Sequence, residues 1–221
     1  MKKRGLVIGS YDTVVNGQWL LTEWELSAPA MTTHYVDVPG RREGPLDLST
    51  ILTDGDPVYG SRTLTATFES SEGTRQERED RINIMTNWLD GWRANIYLPD
   101  DDQHFLVGRV NVERLYNDLA HASVRVTAVC EPWRYNKEET VEVLTATAEA
   151  QTTTLPNLGR LGLVPLLTVT DGDVSLVAGA SSWTLSPGIY ALPDLFLPQG
   201  GKELTYSGAG TLTFMYREAV L

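Results

Sequence analysis

Through residues 1–138 apolar and polar positions mostly alternate with period two, and the apolar ones are rich in β-branched and aromatic side chains. That pattern predicts half-buried strands at residues 19–27, 33–38, 63–68, 94–98, 105–112 and 123–129, each bounded by Gly, Pro, Asn or Asp. One segment departs from it. Thr74 stands three residues before Glu77, a capping-box spacing in which each side chain satisfies the other's free backbone N–H. Ile82, Met85, Leu89 and Trp92 then recur at intervals of 3, 4 and 3, placing one apolar stripe on a helix over about residues 75–90. Arg75, Glu77, Arg78, Glu79, Asp80 and Arg81 crowd its first turns, with Glu77 and Arg81 at i,i+4, so that part reads as a solvated outer face.

Beyond residue 138 no helical period returns. Residues 140–148, 166–170, 174–178, 182–185, 188–192, 203–207 and 211–216 alternate as short strands, separated by turns such as Asp171-Gly172 and Ser186-Pro187-Gly188. The predicted fold is therefore mainly β. Residues 1–138 form a sandwich- or barrel-like domain with one docked α-helix, and residues 139–221 an antiparallel β-sandwich.

Composition supports that division. Of 18 basic, 29 acidic and six tryptophan residues, the first 138 positions hold 15, 21 and five, so the boundary is expected near residues 136–142. The net charge of -11 argues against phosphate-backbone binding, which needs clustered Lys and Arg. A lone Cys130 cannot make an internal disulfide, which suits a reducing compartment. Met1-Lys2-Lys3-Arg4 resembles the start of a signal peptide, but Gly9, Ser10 and Asp12 interrupt the apolar run that should follow, and the expectation is a soluble cytosolic chain.

Candidate chemistry is sparse. His34, His104 and His121 share no metal-ligand spacing with one another or with Cys130, which ends an alternating strand on its inner side as a small buried hydrophobe. Asp100-Asp101-Asp102 lacks the spaced oxygens of an EF-hand loop and reads as a hairpin tip; Asp54-Gly55-Asp56 and Asp171-Gly172-Asp173 read as turns. No nucleophile elbow, phosphate loop or dinucleotide fingerprint occurs, so neither an enzyme nor a cofactor is expected. Trp183 and Tyr190, with Tyr206 and Tyr216, are the aromatics a sugar-stacking platform would use, set against ordinary core packing.

One stretch is more specific. His34-Tyr35-Val36-Asp37-Val38-Pro39-Gly40-Arg41-Arg42-Glu43-Gly44-Pro45-Leu46-Asp47-Leu48-Ser49 is followed by Tyr59-Gly60-Ser61-Arg62, opening another strand. Physically this is a strand, a Pro-Gly turn, a charged loop, an apolar segment and a strand. It closely resembles the V-P-G-R-(D/E)-G-x-L-D-L signature, with a Y-x-x-R strand after it, of the distal tail (Dit) proteins of long-tailed siphophages. The resemblance continues through Asn87-Trp88-Leu89-Asp90-Gly91, the hairpin at residues 98–110 and Val129-Cys130-Glu131-Pro132-Trp133-Arg134-Tyr135, covering about residues 1–138.

The resemblance implies a noncatalytic virion protein. Members of that family form a hexameric ring at the end of the tail tube, join it to tail-tip or receptor-binding proteins, and leave a channel through which DNA passes. The first domain would supply the ring, with Val38, Pro39, Gly40, Arg41, Gly44, Leu46, Asp47, Leu48, Tyr59 and Arg62 as its motif and ring-interface candidates; the second would be a galectin-like sandwich. It implies a homo-hexamer in the virion tail tip, assembled in the bacterial cytoplasm, partnered by the tube and tip proteins, with no specific nucleic-acid site, cofactor, metal or membrane. The alternatives are a carbohydrate-binding adhesion module using Trp183 and Tyr190, a tail-tube subunit, and a secreted hydrolase.

Overall fold

Strand-forming sequence dominates the chain, and a computed structural model describes residues 5–39, 44–53 and 56–221 of it as mainly β. The chain divides into two compact units between Pro132 and Trp133. The division precedes the shift in composition because Arg134–Asn136 pairs with Ala219–Val220 near the C-terminus and so belongs to the second unit.

In the first unit the chain runs β1 (Val7–Ile8), β2 (Tyr11–Asp12), β3 (Leu20–Leu26), β4 (Tyr35–Val36), β5 (Leu46–Asp47), β6 (Arg62–Ser70), α1 (Arg75–Leu89), β7 (Arg93–Tyr97), β8 (His104–Asn117) and β9 (Ala122–Cys130). Its main sheet has the antiparallel order β2-β1-β7-β8-β9-β6-β3. Alternation in β6 sends Leu64, Ala66 and Phe68 inward, and β9 does the same with Val124, Val126, Ala128 and Cys130. These meet Ile82, Met85 and Leu89 of α1 in one core. Burial at this density of branched and aromatic groups stabilises the unit without cross-links.

The helix begins as its sequence dictates. Thr74 Oγ1 accepts from Glu77 N at 3.3 Å, and Glu77 Oε2 accepts from Thr74 N at 2.6 Å, completing the capping box. Two expectations are corrected. The helix ends at Leu89, so Trp92 lies beyond the stripe and is 66% exposed. Arg78 belongs to no solvated face: it is 1% exposed and donates to the carbonyls of Gly73, Asp118 and Leu119 at 2.6, 2.9 and 3.1 Å, tying the helix start to the β8–β9 turn.

The second unit comprises β10 (Arg134–Asn136), β11 (Thr140–Thr145), β12 (Gln151–Leu155), β13 (Leu166–Thr170), β14 (Val174–Ala178), β15 (Ser181–Leu185), β16 (Gly188–Ala191), β17 (Lys202–Gly208), β18 (Thr211–Tyr216) and β19 (Ala219–Val220). Two four-stranded antiparallel sheets, β11-β18-β13-β16 and β12-β17-β14-β15, face each other across Leu155, Leu167, Val169, Leu176, Leu204, Leu212 and Phe214. This is the sandwich that the short alternating runs predict. Strand β12 is missing from the sequence reading because Gln-Thr-Thr-Thr offers no apolar alternation, only register with β17.

Candidate assembly surfaces

Among the described residues, most of the candidates between Val38 and Arg62 lie on or beside a small two-stranded arm of the first unit. Val36 pairs with Leu46 and Tyr35 with Asp47, extended by Leu48 N donating to His34 O at 2.8 Å and His34 N to Ser49 Oγ at 2.8 Å. Hydrogen bonds from Ser49 hold the Asp47 carboxyl below its ordinary pKa. Both strands are exposed, with Tyr35 at 58%, Val38 at 44% and, just after the arm, Leu52 at 95%. Pro39 and Gly44 are exposed beside them, Gly44 with φ 87°, while Leu48 is half-buried. Gly40 and Arg41, like Arg42, Glu43 and the Asp54-Gly55 turn, lie outside the described residues. Tyr59 and Arg62 stand apart at the root: Tyr59 bridges Met31, and Arg62 is buried at the start of β6. The structure therefore leaves Val38, Leu46 and Asp47 exposed on or beside one ribbon and makes Arg62 part of the scaffold.

On the main sheet, the side opposite the core is polar. Register sets Glu23, Thr67, Arg125 and Glu113 in one cross-strand row and Glu25, Thr65, Thr127 and Asn111 in the next. Glu23, Glu25, Thr65, Thr67, Arg125 and Thr127 line an open groove of about 340 Å³. Arg125 Nη1 meets Glu113 Oε2 at 3.4 Å. The sequence shows these carboxylates, but only strand register gathers them onto one face.

Helix α1 carries a second apolar surface on its outer side. Ile84 and Trp88, spaced i,i+4, are 47% and 59% exposed, and Trp92 follows beyond the helix end. Helical spacing alone puts Trp92 on the core stripe, but Gly91, with a φ of 76°, turns the chain between Leu89 and Trp92.

The remaining candidates stay dispersed. His34 sits on the arm, His121 in the β8–β9 turn, and His104 at the start of β8, where its Nδ1 lies 2.9 Å from Asp101 Oδ1. Partial burial would raise the Asp101 pKa, but hydrogen bonds from His104 and Gln103 outweigh it and leave the carboxyl lowered. Asp101 thus closes the hairpin tip. Among the described residues no three His, Cys, Asp or Glu side chains gather as metal ligands. Trp183 and Tyr190 lie half-buried against the second core on different sheets, with Tyr190 OH donating to Ser186 O at 2.7 Å. Among the described residues no helix is long and apolar enough to cross a membrane.

No protein-family model matches the sequence, and no curated protein does. A solved structure does resemble the fold. The crystal structure of the Dit (gp 19.1) protein of phage SPP1, described as a paradigm of hub adsorption apparatus in phages infecting Gram-positive bacteria, aligns with a TM-score of 0.67. The alignment covers 96% of this chain and 98% of that one at 15% identity. At that identity it is a likeness of fold, spanning both units.

Proposed function

We propose that the chain is a structural component of a phage tail. Its role is that of a distal tail hub: residues 1–138 close into a hexameric ring at the end of the tail tube, and residues 139–221, a galectin-like sandwich, project toward tail-tip or receptor-binding proteins. The observation that carries this is the fold likeness to the SPP1 hub protein over nearly the full length of both chains.

The arm supplies physical support. A lone two-stranded ribbon is marginal in water, and this one exposes apolar side chains on both strands, so it needs a neighbour to cover it. A protrusion fitting a different surface on the next copy is a head-to-tail contact, the kind that generates rings. The carboxylate and threonine rows of the main sheet suit a channel wall that DNA must pass without adhering. An adhesion module fits less well, because Trp183 and Tyr190 do not share a face. A tail-tube subunit leaves the appended sandwich without a use.

Light scattering with negative-stain microscopy tests the reading. The expected result is six-fold rings of six chain masses, lost when Tyr35→Glu and Leu46→Glu are combined. Monomers at every concentration, with and without cognate tail tube as a template, would overturn the hexamer.

A further inference from the structure

Asn16-Gly17 is the only Asn-Gly pair in the chain, and it lies in the turn that joins β2 to β3. By sequence such a pair marks a turn and nothing more. The structure adds a reactive geometry. Asn16 is exposed; its Oδ1 accepts from Asp12 N at 2.8 Å, and its own N donates to Asp12 O at 2.9 Å. Asp12 Oδ1 in turn accepts from Val14 N and Val15 N at 2.8 and 3.0 Å, so the residue that holds Asn16 is itself held. Among the described residues the Gly17 N–H donates to no acceptor. Gly17 is buried without room for a side chain, because a Cβ there would collide with Trp19 and with Tyr11 OH. Gln18 follows in the left-handed region at φ 54°, held by Arg81 Nη1 donating to its Oε1.

We propose that Asn16 is a self-modifying residue, its side-chain amide passing to aspartate and isoaspartate through a cyclic imide formed with Gly17 N. Gly17 N gives its proton to hydroxide and attacks Asn16 Cγ, so that a C–N bond forms and the carbonyl electron pair moves onto Oδ1. That oxygen already accepts from Asp12 N, a donor fixed where the negative charge develops. Return of the electron pair breaks the Cγ–Nδ2 bond, and the nitrogen takes a proton from water and leaves as ammonia. Water then opens the five-membered ring at either carbonyl. Opening at Cγ leaves aspartate; opening at the main-chain carbonyl leaves isoaspartate, in which the chain runs through the side chain and is one carbon longer. One water is consumed and one ammonia released, with no oxidant or other reactant.

The same glycine serves packing and chemistry. Any Cβ on residue 17 would crowd the attacking nitrogen, and the contact with Trp19 excludes one. The two products then differ in effect. Aspartate keeps an oxygen for Asp12 N and adds only charge. Isoaspartate lengthens the backbone beside Gly17, which is confined by Tyr11 and Trp19 of the first core. It should loosen the turn and its tie to α1 through Arg81 and Gln18.

Ageing the purified full chain in mildly alkaline buffer tests this, read by peptide mass mapping for the amide-to-acid change and by isoaspartyl methyltransferase labelling. Conversion is expected first at Asn16, in proportion to hydroxide, and to be abolished by Asn16→Gln. It should run about tenfold faster in the folded chain than in an unstructured peptide of residues 11–20, which lacks the fixed Asp12 donor. A folded rate equal to or below that of the peptide would overturn the proposal, since the turn would then protect Asn16. Limited proteolysis reads the consequence. The isoaspartyl fraction should be cut within residues 13–19 sooner than Asn16→Asp, which carries the charge without the extra carbon. Equal cutting of the two would overturn the loosening.

Discussion

Arg78 and Cys130 mark how far single residues can be read from a sequence. Arg78 stands among five other charged positions, which suggests solvent, yet it is buried because the β8–β9 turn places two carbonyls beside the helix start. No local pattern announces contacts 40 and 41 residues away. Cys130 was legible, since period two puts it on the inner side of β9. A Cβ on Gly108 would stand 2.6 Å from Cys130 Sγ, so glycine is required where β8 passes it. Burial pushes the Cys130 thiol up from 9.0 to about 11, with Arg62 opposing. The unfolded thiol ionises first as pH rises, so the unfolded state binds fewer protons and stability falls between pH 9 and 11. The slope is at most about 1.4 kcal/mol per pH unit. Urea unfolding across that range should show the loss in the natural protein and less of it in Cys130→Ala. Parallel pH curves for the two would show that Cys130 does not carry it.

At the scale of elements, legibility follows how local the determinant is. The capping box is written in four adjacent residues and is present as read. Removing it by Thr74→Ala should cost about 1 kcal/mol in urea unfolding, the usual value of an N-cap hydroxyl. A change below a few tenths would mean that packing of Ile82, Met85 and Leu89 alone sets the helix start. Strands with strong alternation, such as β6, β9 and β18, were equally legible. Strand β12, with three consecutive threonines, exists through pairing with β17, and β1 and β2 are two residues each, too short to show any period. The arm is an intermediate case. Its sequence carries the motif and reads as a strand over residues 33–38, but among the described residues the strand is Tyr35–Val36, paired with Leu46–Asp47. Exposed sheet faces are the least legible feature, since rows such as Glu23, Thr67, Arg125 and Glu113 exist only once register is known.

For the whole molecule the question is where the net charge of -11 resides. Counted along the sequence, both domains are acidic, and nothing separates a functional surface from general solubility. Strand register makes the distinction. It gathers Glu23, Glu25 and Glu113 with threonines on one side of the main sheet, where Arg125 is engaged by Glu113. The opposite side is core, so these carboxylates are free to face either solvent or a channel. If they line a passage for DNA, reversing them should create adhesion where there was none. Glu23→Lys combined with Glu25→Lys and Glu113→Lys should retard duplex DNA in a gel, while the natural chain leaves it unretarded. Three new phosphate contacts would give log affinity against log salt a slope of about -3. Oligomerisation should be unaffected, because the change avoids the arm. Phage carrying the variant should eject DNA more slowly; unchanged ejection, with the gel shift present, would place this face outside the channel.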